Sequence, residues 1–441
     1  MMRLATRILC CAVSPIALIS GVAHAQSGES DRVSLGTTAA EQFRRDKNIS
    51  VRERPHPEYE ASGLRAGAFM IYPRLESTVE FNDNIFATET NTVSDTVFRF
   101  VPSVSINSNW SRHALSAFGR ATVSRNVDTK SEDTEQYDVG ANGRLDVQRF
   151  LNVTGGLEYQ RLAEPRTSQN APDQSEDPIK YNIGKANVGV EKSFNRVKLA
   201  VRGNFARYDY KNGTTTPSVF NPTGIVRQDD RDRDVSAVTV RGDYAISPDT
   251  AVFLQATANK RDYNDPSTAL VASRDSDGYE ILAGANFEVT RLIRGDAGVG
   301  YLSQNYDDPR FDDINGFGAR VNLEWFPDEL TTVTGTVERV VEDSVQFGAG
   351  GFLSSAATIQ VDHELLRNVI LSGTFAYSDD TFKGVDRTDK RWLAGVSGTY
   401  LMNRYIGLSL GYTYLDQSSS GLDRGREFTV QKVALSLVLQ R

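Results

Sequence analysis

The feature that most constrains the fold is a two-residue alternation that recurs from Phe69 to Arg441. About every twenty residues, ten to fifteen residues alternate apolar with polar side chains and then reach a turn. The clearest copy, Ile406 to Tyr414, alternates large apolar residues with Gly, Ser and Thr. Successive side chains of a strand point to opposite faces, so this pattern gives one apolar and one polar face. It predicts an all-β fold, a transmembrane antiparallel up-and-down β-barrel.

Alternation and turn signals predict about eighteen strands, with sixteen as the alternative count. The predicted strands lie at residues 68–81, 95–107, 113–126, 136–148, 151–163, 180–193, 196–210, 234–246, 250–263, 277–290, 293–305, 315–326, 330–341, 352–365, 368–378, 389–402, 404–415 and 427–439. Along the chain, short connections such as Leu366-Arg367 alternate with long ones such as 211–233. Outer-membrane barrels have short periplasmic turns and long outer loops, so we expect both termini in the periplasm. A soluble β-propeller or solenoid, the alternative, gives no reason for this alternation of lengths.

Residues 1–25 have the features of a secretory signal peptide. Two arginines precede an apolar run from Ile8 to Val22, and Ala23-His24-Ala25 is a small-x-small cleavage site. The run is short for a helix that spans a bilayer, so we expect cleavage after Ala25, with a retained anchor as the alternative. Both cysteines of the chain lie in this run, so the mature protein would have no disulfide.

Residues 26–67 form a polar segment between the signal and the barrel, and they lack alternation. Thr38 and Glu41 have the spacing of a capping box, which predicts a helix from Ala39 to about Lys47. A disordered periplasmic tail is the alternative. The predicted organisation is therefore a signal peptide at 1–25, a periplasmic N-terminal segment at 26–67 and an outer-membrane barrel at 68–441.

The polar face of the predicted strands carries charges of both signs. A charge facing lipid at the bilayer midplane would cost a few kcal/mol, so we expect these residues to line the interior. The candidate pore-lining residues are Arg74, Arg99, Arg120, Arg144, Glu158, Lys185, Lys198, Arg202, Arg241, Asp243, Glu280, Arg294, Arg320, Glu324, Glu338 and Arg391, with Glu76, Asp146, Glu191, Glu288 and Asp362 on the same face. Two interpretations stay open: a wet pore for a neutral or mixed-charge solute, and a lumen closed by ion pairs. Eighteen strands enclose room for water unless a loop or plug fills it.

Acidic clusters in the predicted outer loops include Asp307-Asp308 and Asp379-Asp380. They are expected to form a solvated rim, or else to bind Ca²⁺ or bridge to lipopolysaccharide through divalent ions. Beyond the signal the histidines are His56, His113 and His363, and none stands beside these clusters. We therefore predict no enzyme activity, no cofactor and no metal site. The formal net charge of −8 argues against a nucleic-acid partner.

The residues around the predicted barrel entry form a more specific pattern. It consists of Arg54-Pro55-His56-Pro57-Glu58-Tyr59, residues 63–69, Tyr72-Pro73 and residues 80–88. This pattern resembles the entry segment of the putative beta-barrel porin 2 family of Gram-negative bacteria, and the similarity extends more loosely along the barrel. The resemblance implies an outer-membrane location and, since several members are associated with exopolysaccharide export systems, a role in export. One departure is Leu437 to Arg441, which lacks the terminal aromatic residue common to such barrels.

The sequence thus predicts a channel-forming barrel that exports a surface exopolysaccharide across the outer membrane. The alternatives are a general or substrate-selective diffusion porin for small-solute uptake, and a non-channel structural or adhesive barrel. Expected partners are outer-membrane lipid, lipopolysaccharide, the barrel-assembly machinery and a periplasmic or inner-membrane polysaccharide synthesis or export complex. Residues 26–65 are the expected docking segment for that complex.

Overall fold

The structure, a computed structural model, describes residues 48–172, 175–219, 221–264, 272–290 and 292–441. The predicted signal peptide and the predicted helix at 39–47 lie outside these residues. The strands are β1 Leu64–Ala66, β2 Phe69–Asn82, β3 Asp95–Ser108, β4 Ala114–Asn126, β5 Thr134–Gln148, β6 Leu151–Ala163, β7 Lys180–Ser193, β8 Val197–Tyr210, β9 Gly213–Thr214, β10 Ile225–Val226, β11 Arg233–Ser247, β12 Thr250–Tyr263, β13 Ser276–Val289, β14 Ile293–Tyr306, β15 Ile314–Asp328, β16 Thr331–Asp343, β17 Gly351–Leu366, β18 Val369–Phe382, β19 Thr388–Leu401, β20 Ile406–Ser420 and β21 Phe428–Gln440. Two 3₁₀ turns, Lys130–Glu132 and Asp229–Arg231, lie in loops.

The strands form one closed antiparallel barrel. The sheet contains nineteen strands, and without the three-residue β1 it is a ring of eighteen, β2–β8 and β11–β21. β8 pairs with β11, and the small β9–β10 hairpin lies in the loop between them. The ring closes where β21 pairs with β2, from Arg74↔Gln440 to Asn82↔Lys432. The predicted fold is confirmed, and the count is eighteen and not sixteen.

The closing seam has an additional strand. β21 covers β2 only from Arg74 onward, and β1 pairs with the preceding residues, from Leu64↔Ile71 to Ala66↔Phe69. Gly67, with a φ of 61°, makes the turn between β1 and β2. The backbone N–H of Arg441 donates to the carbonyl of Pro73 at the junction (3.1 Å). β1 therefore occupies the edge of β2 that the last strand leaves uncovered.

Two predicted strands end too early. The predictions 368–378 and 404–415 stop short of β18, which ends at Phe382, and of β20, which ends at Ser420. Apolar and polar residues alternate only in the part of a strand whose outer face contacts an apolar environment. Beyond that part, β18 and β20 continue with mostly polar residues. Asp379 and Asp380 therefore belong to β18, and their placement in an outer loop was wrong.

The two ends of the barrel differ in their connections. At one end, which we call the turn end, short turns such as 149–150 and 367–368 join the strands. At the other, the loop end, the connections include 164–179 and 211–232. The outward face is apolar, and rings such as Tyr279 and Tyr301 pair on it with centroids 6.2 Å apart. Among the described residues, no helix is long and apolar enough to cross a bilayer.

Candidate channel interior

The charged residues predicted to line the interior lie at inward-facing positions of the barrel strands. They alternate with exposed apolar residues such as Leu157 and Val188. Many are ion-paired along the wall: Arg74–Glu76 (3.0 Å), Arg99–Glu80 (3.3 Å), Arg144–Asp146 (3.1 Å), Lys185–Glu158 (3.6 Å), Lys198–Glu191 (2.9 Å), Arg241–Asp296 (2.8 Å), Arg320–Glu338 (3.4 Å) and Arg320–Glu280 (3.8 Å). Arg241 also pairs with Asp243 (2.9 Å), and Arg294 with Glu324. Arg120 and Arg202 share this face. That these residues line an open channel stays a prediction.

One side of the wall, formed by β4–β7, is accessible to solvent. Arg120 is exposed although it points inward, and the side chains of Arg144 and Glu158 are 49% and 32% exposed. Charged groups are stable inside a barrel when water reaches them or when they are paired. Both conditions hold here, and this side of the lumen is wide enough for water to contact the charges.

The turn end of the lumen holds residues 48–60, which we call the entry segment. It forms two successive turns, in which the N–H groups of Glu53 and Arg54 donate to the Ser50 carbonyl and those of Tyr59 and Glu60 to the His56 carbonyl. Val51, which is fully buried, packs with Ile370 of β18 and Leu401 of β19, and Tyr59 packs against this cluster.

Ion pairs attach the entry segment to the wall. Arg52 Nε donates to Asp362 Oδ2 (2.9 Å), and Arg54 Nη1 donates to Glu364 Oε2 (2.5 Å). Both carboxylates belong to β17 and are nearly buried, with side-chain exposures of 2% and 5%. Arg294, a predicted interior residue, donates to the Asn48 carbonyl (2.9 Å) and to Glu53 (3.3 Å). Removing one partner of a buried pair leaves an unpaired charge, so these contacts hold the segment firmly.

At the loop end, residues 164–172 and 175–179 fold across the opening, and we call them the crossing loop. The loop leaves β6 and contacts β16, β18 and β19, which lie on the far side of the ring. Gln169 donates to Asp380, and Asn170 donates to the Asp343 carbonyl (3.2 Å) and accepts the N–H of Val345 (3.2 Å). Arg391, also predicted as an interior residue, donates to the Thr167 carbonyl (3.0 Å), and Arg426 to the Ser168 carbonyl (3.1 Å).

A buried ion pair fixes the base of the crossing loop. Arg231 Nη2 donates to Glu164 Oε1 (2.9 Å), and both side chains are less than a tenth exposed. Burial alone would lower the pKa of Arg231, but the adjacent carboxylate of Glu164 raises it above its ordinary value. The guanidinium also lies over the ring of Tyr210, 4.0 Å from its centroid. The crossing loop is thus anchored at its start as well as on the far wall.

Several loop aspartates have a structural role that the sequence interpretation missed. In four loops the aspartate directly before the returning strand accepts the backbone N–H of the last residue of the outgoing strand. The pairs are Asn126 with Asp133 (2.7 Å), Tyr210 with Asp232 (2.6 Å), Tyr263 with Asp275 (2.6 Å) and Tyr306 with Asp313 (2.9 Å). Their common position before a strand is a signal that could have identified them. In the described part of the chain, no group of three or more His, Cys, Asp or Glu residues could hold a metal ion.

The three histidines lie toward the turn end. His113, with a φ of 65°, exchanges two 3.0 Å hydrogen bonds with Asp146: its N–H donates to the carboxylate, and its Nδ1 accepts the Asp146 N–H. His363 Nδ1 lies 3.0 Å from the Thr331 hydroxyl. His56 is buried in the entry segment, and its Nε2 lies 3.8 Å from Glu364. Each contact ties a turn or the entry segment to the barrel wall.

A second part of the wall was not identified from the sequence. Between the entry segment and the crossing loop, β18–β21 and β2 line a recess that is open to the lumen. Its inward side chains are mostly small and uncharged: Ser372, Thr374, Gly395, Ser397, Ser409, Gly411, Thr413, Ala434 and Ser436, with Leu393 and the Glu80–Lys432 pair at its border. We call it the neutral recess. Ser, Thr and Gly also serve as ordinary spacers in barrel strands, so their pattern gives no distinct signal in the sequence.

Comparison with known proteins relates most of the chain to one family. The model of the putative beta-barrel porin 2 family matches residues 56–441, which cover the barrel and the end of the entry segment. Among curated proteins no relative is found.

Several solved barrels are similar in structure. A mutant of the ferric enterobactin receptor PfeA from Pseudomonas aeruginosa, in complex with enterobactin, is 8% identical; the match covers 86% of this chain and 82% of that chain, with a TM-score of 0.47. The siderophore receptor PiuA from Acinetobacter baumannii is 10% identical, over 86% and 82%, with a TM-score of 0.47. OpdK from Pseudomonas aeruginosa, with vanillate, is 10% identical, over 84% and 99%, with a TM-score of 0.44.

Proposed function

Because the chain belongs to the putative beta-barrel porin 2 family, we propose that it forms a channel in the outer membrane of a Gram-negative bacterium and exports a surface exopolysaccharide through it. The observation that carries the proposal is the entry segment. A closed barrel with a polar, partly solvated lumen is narrowed at one end by a few turns of its own chain, held to one wall by ion pairs. Such an arrangement suits a passage that opens only when a partner or substrate displaces the segment.

The orientation follows from the connections. With the short turns in the periplasm, the entry segment faces the compartment from which an exported polymer would arrive. The crossing loop then lies at the cell surface, and outward charges near the loop end, such as Arg207 paired with Asp234 (2.6 Å), lie at the level of lipopolysaccharide. On that side, a synthesis or export complex would bind residues 26–65, the expected docking segment.

The electrostatics of the lumen favour a solute without a strong charge of one sign. Arginine and lysine alternate with carboxylates along β5–β8, so their fields largely cancel at short range. The neutral recess continues this property on the opposite wall. A sugar polymer that presents mostly hydroxyl groups fits such a surface better than a polyanion does.

The double variant Arg52→Ala/Arg54→Ala tests the proposal. It should release the entry segment because Asp362 and Glu364 lose the arginines that pair with them, and single-channel conductance in planar bilayers should rise several-fold. Arg65→Ala is the matched control, since Arg65 lies on exposed β1 and its Nε donates only to the nearby Gly67 carbonyl (3.3 Å). A barrel that conducts in neither state would overturn the channel.

Export itself is tested in cells. Chromosomal deletion of the gene should leave the polymer inside the periplasm, and the wild-type chain should restore secretion. An uptake porin is the second candidate, because the solvated side at β4–β7 gives a small solute a path past the entry segment. Unchanged polymer secretion together with loss of growth on a small carbon source would favour uptake.

A further inference from the structure

We propose that the neutral recess is a binding site for neutral sugar units of the transported glycan. The inference rests on the proposed channel function, because the recess opens only into the lumen. It is enclosed on two levels: below, the entry segment packs on Ile370 and Leu401, and above, the crossing loop contacts Asp380 and Arg391. A solute that passes the entry segment or the crossing loop on this side of the barrel reaches the recess next.

The donors and acceptors of the recess match those of a sugar. A serine or threonine hydroxyl both donates and accepts, as does each hydroxyl of a hexose. Six hydroxyl side chains converge here from three strands of the last third of the barrel and from β21: Ser372, Thr374, Ser397, Ser409, Thr413 and Ser436.

Three of these hydroxyls are available to a ligand. Within the described part of the chain, the side chains of Thr374, Ser397 and Thr413 make no hydrogen bond to protein, whereas Ser372 donates to Asp362 (2.5 Å) and Ser436 lies 2.8 Å from Thr78. Polar groups that line a roomy cavity and lack protein partners bind water or a ligand.

The shape and charge of the recess favour an uncharged ring. Gly395 and Gly411 leave the sheet surface bare, so a flat ring can approach the backbone closely. The two charged groups at the border, Glu80 and Lys432, pair with each other (3.7 Å), and Glu80, which is 2% exposed, also pairs with Arg99 (3.3 Å). Leu393, which packs with buried Leu415 and Val430, offers an apolar surface to the C–H face of a sugar.

The test is direct binding to the purified barrel with its entry segment in place. Saturation-transfer NMR and calorimetry would be run with maltohexaose, cellohexaose and isomaltohexaose as neutral probes and with hexagalacturonate as the charged probe. We expect millimolar or tighter binding of at least one neutral probe and at least fivefold weaker binding of hexagalacturonate.

The variant Thr374→Val/Thr413→Val keeps the shape of both side chains, removes two hydroxyls and should weaken binding of the neutral probe at least fivefold. Thr122→Val, an inward-facing change on β4, is the matched control and should leave binding unchanged. If the double variant fails to fold, as judged by heat-modifiable gel mobility, Ser397→Ala replaces it with an expected loss of at least twofold. Binding of no neutral probe, or equal loss in Thr122→Val, would overturn the site.

The outcome separates the site from the channel, and polymer from free sugar. A barrel that conducts but binds no neutral probe disproves the site and leaves the proposed channel intact. A barrel that binds a neutral probe but does not conduct disproves the channel and leaves the site intact. In cells, Thr374→Val/Thr413→Val that lowers polymer secretion but not maltohexaose uptake identifies a polymer as the source of the sugar units. The opposite result identifies a free oligosaccharide.

Discussion

The two sides of the lumen wall use charge differently. On β4–β7, the pair of Lys185 and Glu158 is in contact with solvent. On β17–β19, Asp362, Asp380 and Asp389 point inward as well, but their exposures are 2%, 3% and 0%. The strands are built on the same alternation in both places. At Asp362 and Asp380 the entry segment and the crossing loop supply donors to the carboxylates, and at Asp389 the donors are Arg387 and Ser419.

This comparison shows that the barrel supplies a polar wall and the inserted segments decide which part of it meets water. The entry segment and the far end of the crossing loop both contact the wall at β16–β19, whereas the charges of β4–β7 stay in contact with solvent. Ion pairs covered by an inserted segment are costly to break, and pairs in contact with solvent contribute little. Three predictions follow from that contrast, in decreasing order of effect.

The largest effect is expected at the wall side of the entry segment. Asp362→Ala/Glu364→Ala should raise single-channel conductance as much as the arginine variant does, because either change removes the same two ion pairs. Reversing one pair, as Arg52→Asp/Asp362→Arg, should restore most of the closed state. Additive conductance changes in the combined quadruple variant would contradict this model, because coupled partners should not add.

The second prediction compares two arginines in thermal unfolding. Arg387 donates to Asp389 (2.6 Å), which is fully buried and also accepts the Ser419 hydroxyl (2.6 Å). Arg387→Ala leaves that carboxylate unpaired and should destabilise the barrel by about 3–5 kcal/mol. Arg144→Ala, on the solvated side, should cost no more than about 1 kcal/mol. Similar losses for both would show that water reaches both sides equally.

The smallest effect is expected in ion selectivity. Arg120→Glu reverses an exposed inward charge on β4 and should shift the permeability ratio toward cations by about twofold, since a single charge in a wide, wet passage is strongly screened. Reversal potentials in a salt gradient measure this shift. Lys198→Glu, at a side chain only 11% exposed, should change selectivity less, and the opposite order would place the ion path along β8.

The barrel could be predicted from sequence because one force dictates it. Residues such as Leu199 and Leu435 must alternate with polar ones wherever the outside is apolar, and this rhythm reveals strand number, order and the inward face. The same logic predicts the charged residues of the interior. It failed at the upper ends of β18 and β20, where the outside need not be apolar and the rhythm disappears.

The contacts of the entry segment and the crossing loop, and the neutral recess, could not be predicted in the same way. Arg52 and Asp362 are 310 residues apart and belong to segments with unrelated patterns, so nothing local signals their pairing. Gln169 and Asp380 are separated by 211 residues in the same manner. The recess depends on the register of neighbouring strands, for example Gly395 opposite Thr413, and register emerges only when the ring has closed.

The short β1 strand limits how far the entry segment can move from the turn end. Because β1 is hydrogen-bonded to β2 beside the carboxyl terminus, it is a fixed attachment point for residues 48–63. Fully extended, these residues would reach about 50 Å from β1. A force applied at the amino-terminal side would therefore move the entry segment out of the lumen. Because β1 keeps the segment attached to the barrel, it would return when the force ends.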